Sequence, residues 1–277
     1  MLDHNVLVGR FESGLPMSQF SQPLSRSAAE ISVESCRESY SALAKEYEDE
    51  DHATIAEFHR LTSGAISEES IRLREVFKRV ATGRWLVAGV GPGSNVSSVL
   101  ESTASNPTKI DALDLSAEMI TLAQTSGIRF SEYHVDDVRS FADKTRGAWD
   151  CVIALLADPY LDSSGIDSLP LLLANGGILL VSTPTAEWAR QIRPVQSLNS
   201  STFHLRDGTR RVAPSYCWDQ ANLAHEMAER GLEQLWSKQI FLDRDGCQSK
   251  VNLDAIRKSD LPELPILLLS AFSAHRG

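Results

Sequence analysis

Apolar residues first settle into a period after an irregular start. Residues 1–25 mix Gly, Pro, Ser and Gln without periodicity and read as a loose or draping arm. From Ser27 to about Glu50, the residues Ala28, Ile31, Val33, Tyr40, Leu43, Ala44 and Tyr47 recur at roughly helical spacing. The acidic run 46–51 closes that stretch and reads as a solvated helix end. A second helix is expected over 52–62. A third, over 67–81, carries Ile71, Leu73, Val76, Phe77 and Val80, with Ser67 as its cap before Glu68 and Glu69.

The period then changes. The run 84–90 is short, apolar and ends in glycines, as a buried strand does. After it come a helix near 94–104, a strand near 108–114, a helix near 116–126 and a strand near 129–135. A strand at 149–157, a helix near 164–174 and a strand at 177–183 complete the alternation. Strands and helices alternating at this spacing predict a doubly wound parallel sheet. Further on, 218–231 is an amphipathic helix stopped by Gly231, and 232–242 and 265–274 read as strands that pair as an antiparallel edge. Asp207-Gly208, inside 202–212, is a hairpin signal.

Composition narrows the picture. The 277 residues are 42% hydrophobic and 23% charged, which fits a folded globular protein. Asp and Glu outnumber Lys and Arg, 37 to 27, for a net charge of −10. Phosphate binding needs clustered cations, so no nucleic-acid partner is expected. Cys36, Cys151, Cys217 and Cys247 lie far apart and read as reduced thiols. The start shows no secretory pattern, and runs such as 264–272 are too short to span a bilayer. A cytoplasmic protein without membrane contact is the expectation.

The chemistry sits in 87-VAGVGPGSN-95, read with 110-IDALDLS-116. A strand ends, glycines follow at 89, 91 and 93, and a helix begins. Glycine lets the backbone turn sharply and lets a ligand approach closely. Asp114 ends the next strand, where a carboxylate accepts both hydroxyls of a ribose. Dinucleotides and S-adenosylmethionine both use this layout. Ser94 stands where the dinucleotide fingerprint wants its third glycine.

Five ordered segments resemble the class I S-adenosylmethionine-dependent methyltransferases across roughly residues 80–275. They are VAGVGPGSN, DLSAEMI, 133-YHVDDVRSF-141, 149-WDCVIALLA-157 and 172-LLANGGILLVSTP-184. The resemblance implies a Rossmann-like seven-stranded sheet with an antiparallel C-terminal edge strand, preceded by an N-terminal helical extension. Residues 1–80 would be the arm and helical lid, and 81–277 the methyltransferase domain with its hairpin insert at 202–212. The cofactor implied is S-adenosylmethionine. Gly89, Gly91 and Gly93 would pass beneath its methionine part, and Asp114 would hold the ribose. Leu115 and Met119 would flank the adenine, Met119 reading equally as core. Asp136 or Asp137 would reach the adenine amino group, with the Val138 N–H on a ring nitrogen; a helix N-cap is the other reading of that pair. Ala154, with 155–157, would lie near the methionine tail. One position departs from the family: Ala88 replaces the acidic residue before the first glycine.

Ligands of open parallel sheets bind beyond the carboxyl ends of the strands. That places 158-DPYLDSSG-165 and 184–217 around a substrate. Asp158 is the candidate general base, because methylation of a hydroxyl or amine releases a proton. His204 is a second catalytic candidate, and Tyr160, Trp188, Arg206 and Arg210 are substrate candidates. Arg206 and Arg210 would meet a carboxylate or phosphate, or else be solvated hairpin charges. Asp158-Pro159-Tyr160 also resembles the Asn/Asp-Pro-Pro-aromatic motif of amino methyltransferases, with one proline missing. His134 reads as structural, and His52, His59 and His225 are given no role. Methylation of an O or N atom of a small molecule is the leading expectation. Methylation of a protein or RNA amine, and a non-catalytic partner prompted by Ala88, are the alternatives. The N-terminal helices fit either a pocket wall or a homodimer contact.

Overall fold

The computed structural model describes residues 33–47, 52–242, 247, 249–259 and 263–274. The expected arm, the start of the first helix and most of the acidic run lie outside the described residues. Three helices come first: α1 (Val33–Leu43), α2 (Ala53–Glu68) and α3 (Ser70–Phe77). Then follow β1 (Arg84–Ala88), α4 (Ser94–Thr103), β2 (Lys109–Asp114), α5 (Ala117–Thr125), β3 (Glu132–Val135), α6 (Val138–Lys144) and β4 (Trp149–Leu155). The chain continues through α7 (Ser163–Leu172), β5 (Leu173–Pro184), α8 (Ala186–Ile192), β6 (Ser200–His204) and β7 (Arg210–Pro214). It ends with α9 (Gln220–Glu229), β8 (Leu232–Phe241), α10 (Lys250–Lys258) and β9 (Pro265–Ala274).

The strands form a seven-stranded sheet in the order β3-β2-β1-β4-β5-β9-β8. The β1–β2, β1–β4, β2–β3 and β4–β5 pairings are parallel. β9 runs antiparallel to both β5 and β8, so the antiparallel edge is a pair, with β8 outermost. The central strands are predominantly apolar because both of their faces are covered. Trp85, Val87, Cys151, Ile153, Ile178 and Leu180 face one core, shared with α2, α3, α4, α5, α8 and α10. The alternate residues Leu86, Ala88, Val152, Ala154, Leu179 and Val181 face the other, shared with α6, α7 and α9.

Several boundaries differ from the sequence reading. Ser67 is not a cap, because α2 runs through Glu68 and the break falls at Glu69, whose N–H bonds back to Ala65 O and Ser67 O. α7 is capped by Asp162 and passes directly into β5, so β5 begins at Leu173 rather than 177. Gly176 (φ +76°) and the register shift between Trp149 and Cys151 absorb the irregularity. α8 and α10 were not foreseen. They start at the caps Thr185 and Ser249, each accepting the N–H three residues on. β6 and β7 pair as a hairpin turning at Gly208 (φ +81°), with the Gly208 N–H on Leu205 O. The cysteines among the described residues are free, and no described helix is long and apolar enough to cross a membrane.

Candidate active site

At the carboxyl end of β1 the chain turns through Gly89 (φ +67°), Gly91 (φ +50°) and Gly93 (φ +79°). Side chains rarely adopt these angles, and a Cβ on Gly89 would sit 2.7 Å from the Ala157 Cβ. The Gly89 and Val90 N–H groups both bond to Leu113 O, which ties the loop to β2. Asp114 closes that link: its Oδ2 accepts the Gly91 N–H at 3.0 Å and its Oδ1 accepts the Ser116 N–H at 3.0 Å. Burial pushes the Asp114 carboxyl up to about 6, while the N–H groups of Ser116, Gly91 and Leu115 pull it back. This is a buried carboxylate, held by backbone N–H groups, at the mouth of a glycine cradle. Leu115 and Met119 are buried beside it, and Leu115 O accepts from Arg37 Nε of α1 at 3.3 Å.

The Asp136–Asp137 pair resolves into two different environments. Asp136 accepts from Lys144 Nζ at 2.7 Å, from Ser140 Oγ and from the Asp137 N–H. Asp137 caps α6 by accepting the Arg139 N–H, and pairs with the Arg139 guanidinium at 2.8 Å. Its charge is also felt by Cys36 and Tyr160, which lie on the cradle side. Val138 is fully buried as the first residue of α6. Ala154 faces the apolar core beneath α6 and α7, whereas Leu156 (φ +54°) lines the cavity described below.

Beyond β4 and β5 lies a cavity of about 410 Å³, walled by α1, α2, α8 and the β6–β7 hairpin. Asp158, Trp188 and His204 line it. Asp158 stands in a single 3-10 turn, 8% exposed. Burial pushes its carboxyl up to about 6, and the Ser215 hydroxyl and Arg193 charge pull it down. Trp188 donates from Nε1 to Asn252 Oδ1 and stacks edge-on against Phe58. His204 is exposed at the end of β6.

Other candidates fall elsewhere. Tyr160 is buried under the glycine loop, its ring 3.3 Å from where a Gly89 Cβ would stand. Arg206 and Arg210 are exposed and do not line the cavity. The Arg206 N–H binds the Glu46 carboxylate, and the Arg210 Nη2 points at Thr202 Oγ1 at 3.4 Å. Their assignment to an acidic substrate group gains no support from this geometry. His134 packs on Phe141, 4.8 Å between centroids, away from the cradle.

Four residues of the site, Tyr47, His59, Asn95 and Arg193, escaped the sequence reading. Ser63 Oγ donates to Asn95 Oδ1, so the Asn95 amide nitrogen faces His59 Nδ1 at 2.9 Å. His59 Nδ1 must therefore accept, and Nε2 carries the ring proton toward Tyr47 Oη at 3.0 Å. Burial lowers His59 to about 4, so the ring is neutral at pH 7. The relay leaves the Tyr47 hydroxyl proton for an acceptor in the site. Burial, then the charges of Asp158 and Asp114, raise the Tyr47 hydroxyl, which stands 4.0 Å from where a Cβ on Gly91 would be. Arg193 is the fourth. Its Nη1 donates to Leu198 O and Ser215 O, and its Nη2 to Ser201 Oγ and Ser215 Oγ. Only Asn95, two residues past Gly93, carried a positional signal; Tyr47, His59 and Arg193 are joined by tertiary packing alone.

α1 roofs both regions. Burial, with Asp114 and Asp158 adding, pushes the α1 thiol Cys36 up to about 12. Ser39 Oγ bonds to Val212 O of the hairpin, and Tyr40 meets Phe203 edge-on at 6.0 Å.

Neither the protein-family models nor the curated proteins match this sequence. Solved structures do match its shape. The DhpI complex with SAM and HEP aligns at TM-score 0.60 and 18% identity, over 88% of this chain and 98% of that one. The complex of the Haloferax volcanii Trm112 methyltransferase activator with a methyltransferase aligns at 0.58 and 15%, over 87% and 98%. The N-methyltransferase NodS from Bradyrhizobium japonicum WM9, bound to S-adenosylhomocysteine, aligns at 0.51 and 17%, over 85% and 98%. With the observed strand order, these likenesses show that the chain has the fold of the class I S-adenosylmethionine-dependent methyltransferases.

Proposed function

We propose that the protein is an S-adenosylmethionine-dependent methyltransferase acting on an O or N atom of a small molecule. The observation that carries this reading is the joining of the two halves of the site. A glycine cradle closed by the buried Asp114 meets, at Tyr47, a cavity walled by a second buried carboxylate, Asp158: Tyr47 lines the cavity, and its hydroxyl lies 4.0 Å from where a Gly91 Cβ would stand. The residues fit the cofactor. Gly89, Gly91 and Gly93 leave room where side chains would stand, and Asp114 offers acceptors for ribose hydroxyls. Asp137, whose charge is felt by Cys36 and Tyr160 on the cradle side, would face the adenine with the Val138 N–H, although it also caps α6 and pairs with Arg139.

When bound, the cofactor supplies an already activated methyl group on a sulfonium. What remains for the protein is to orient the acceptor, exclude water and take up a proton. Orientation alone supplies effective molarities on the order of 10⁵–10⁸ M. α1 and the hairpin act as the lid, enclosing a volume suited to a modest-sized substrate rather than a polymer. Asp158 accepts the acceptor's proton, and a carboxyl near 6 is ionised at neutral pH and suited to that task.

Calorimetric titration with S-adenosylmethionine tests the reading. Wild type should bind in the micromolar range and Asp114→Ala should not. Absence of wild-type binding at millimolar cofactor would overturn it.

A further inference from the structure

We propose that the acceptor group is an amine carried on an apolar or aromatic body, selected by Asp158 and the aromatic walls around it. This rests on the methyl-transfer reading above. Tyr40, Tyr47, Phe58, Trp188 and Phe203 line the cavity, and Asp158 is the only carboxylate among its described lining residues. Aromatic faces attract a cation, and a buried carboxylate without a full counter-charge attracts one more strongly.

The cationic side chains of the walls are already committed. Arg193 spends both terminal nitrogens on Leu198 O, Ser201 Oγ and both oxygens of Ser215, and lies over the Trp188 ring at 5.3 Å. His59 uses both ring nitrogens within the wall, and His52 faces Glu46 at 3.5 Å. His204 stands exposed at the rim, and Arg206 and Arg210 lie off the lining. An acidic acceptor therefore meets only the Arg193 guanidinium, whose terminal nitrogens already serve four acceptors, while an ammonium meets a carboxylate and rings. One proton passes from the ammonium nitrogen to an Asp158 oxygen: an N–H bond breaks, an O–H bond forms, and the nitrogen keeps its lone pair. The pair becomes neutral, which relieves the cost of burying the Asp158 charge.

Three ligands of equal size separate the possibilities: 2-phenylethylamine, 2-phenylethanol and 3-phenylpropionate. Their affinities would be measured by ligand-observed NMR on the full chain saturated with S-adenosylhomocysteine, whose own affinity is measured in parallel. The amine should bind at least tenfold tighter than the alcohol or the acid. Asp158→Asn should erase that margin without changing S-adenosylhomocysteine affinity. Equal binding, preference for the acid, or no binding by any ligand at millimolar concentration overturns the amine assignment. Loss of S-adenosylhomocysteine binding with amine selectivity intact would instead sink the methyl-transfer reading. Should Asp158→Asn fail to fold, the wild-type panel alone decides.

Discussion

Asp114 and Tyr47 carry the sharpest expectations for single residues. The Asp114 carboxyl is raised from 3.8 to about 6, so the folded chain holds a proton that the unfolded chain releases. The associated stability is present below about pH 4 and is lost as pH rises through 6. Ionising Asp114 in the fold costs on the order of 3 kcal/mol, which hydrogen-bond donors of a bound ligand would offset. Affinity for S-adenosylmethionine should therefore climb as pH rises through 6 and level off above it. Calorimetry between pH 5 and 8 checks this, and Asp114→Asn should flatten the curve; a flat wild-type profile would refute it. Tyr47→Phe removes the acceptor for His59 Nε2–H while keeping the ring. Chemical denaturation should show a loss of about 1–2 kcal/mol, with no change in the far-UV spectrum. The glycine loop and Asp114 were legible because they form one local strand–turn–helix pattern within a few dozen residues. Tyr47, His59 and Arg193 were not, because what unites them is the packing of α1, α2 and the hairpin, which leaves no spacing to read.

At the level of elements, α10 shows how much the periodicity concealed. Glu57 of α2 is buried and accepts Asn252 Nδ2 at 2.6 Å and the Ser249 N–H at 3.2 Å, while Asn252 Oδ1 accepts the Trp188 indole. α10 is only nine residues long, and it buries Asn252 and Ala255 fully with Ile256 packed alongside, so its apolar face is too brief to stand out in the sequence. The central strands were easy for the opposite reason: burial on both faces makes them predominantly apolar. Asn252→Ala should cost about 1–3 kcal/mol by removing a partner from a buried carboxylate. It should also free Trp188, seen as a red shift and broadening of its fluorescence. An unchanged midpoint and spectrum would show that α10 is not the anchor described.

For the molecule as a whole, the site is built between distant parts of the chain. α1 and the turn after it touch the hairpin through Ser39–Val212, Tyr40–Phe203 and Glu46–Arg206. If they close as one lid, amide exchange over 33–47 and 200–214 should slow together when S-adenosylhomocysteine binds. Slowing in only one of the two would separate them. The seven-stranded architecture was readable from the alternation of strands and helices, but the position of the last strand was less so. Pairing of 232–242 with 265–274 was visible; the seating of 265–274 against β5 is a long-range choice that local pattern does not encode.

That seating bears on how the protein comes into being. β8 is synthesised before β9, yet it reaches the rest of the sheet only through β9. Until residues 265–274 leave the ribosome, β5 presents an unpaired apolar edge along Ile178–Pro184. The nascent chain thus passes through a stage in which its sheet is split, with β5 and β8 both waiting for the strand between them. A holdase is most needed in that interval, and a chain ended before Pro265 should be recovered in aggregates rather than as a smaller folded protein.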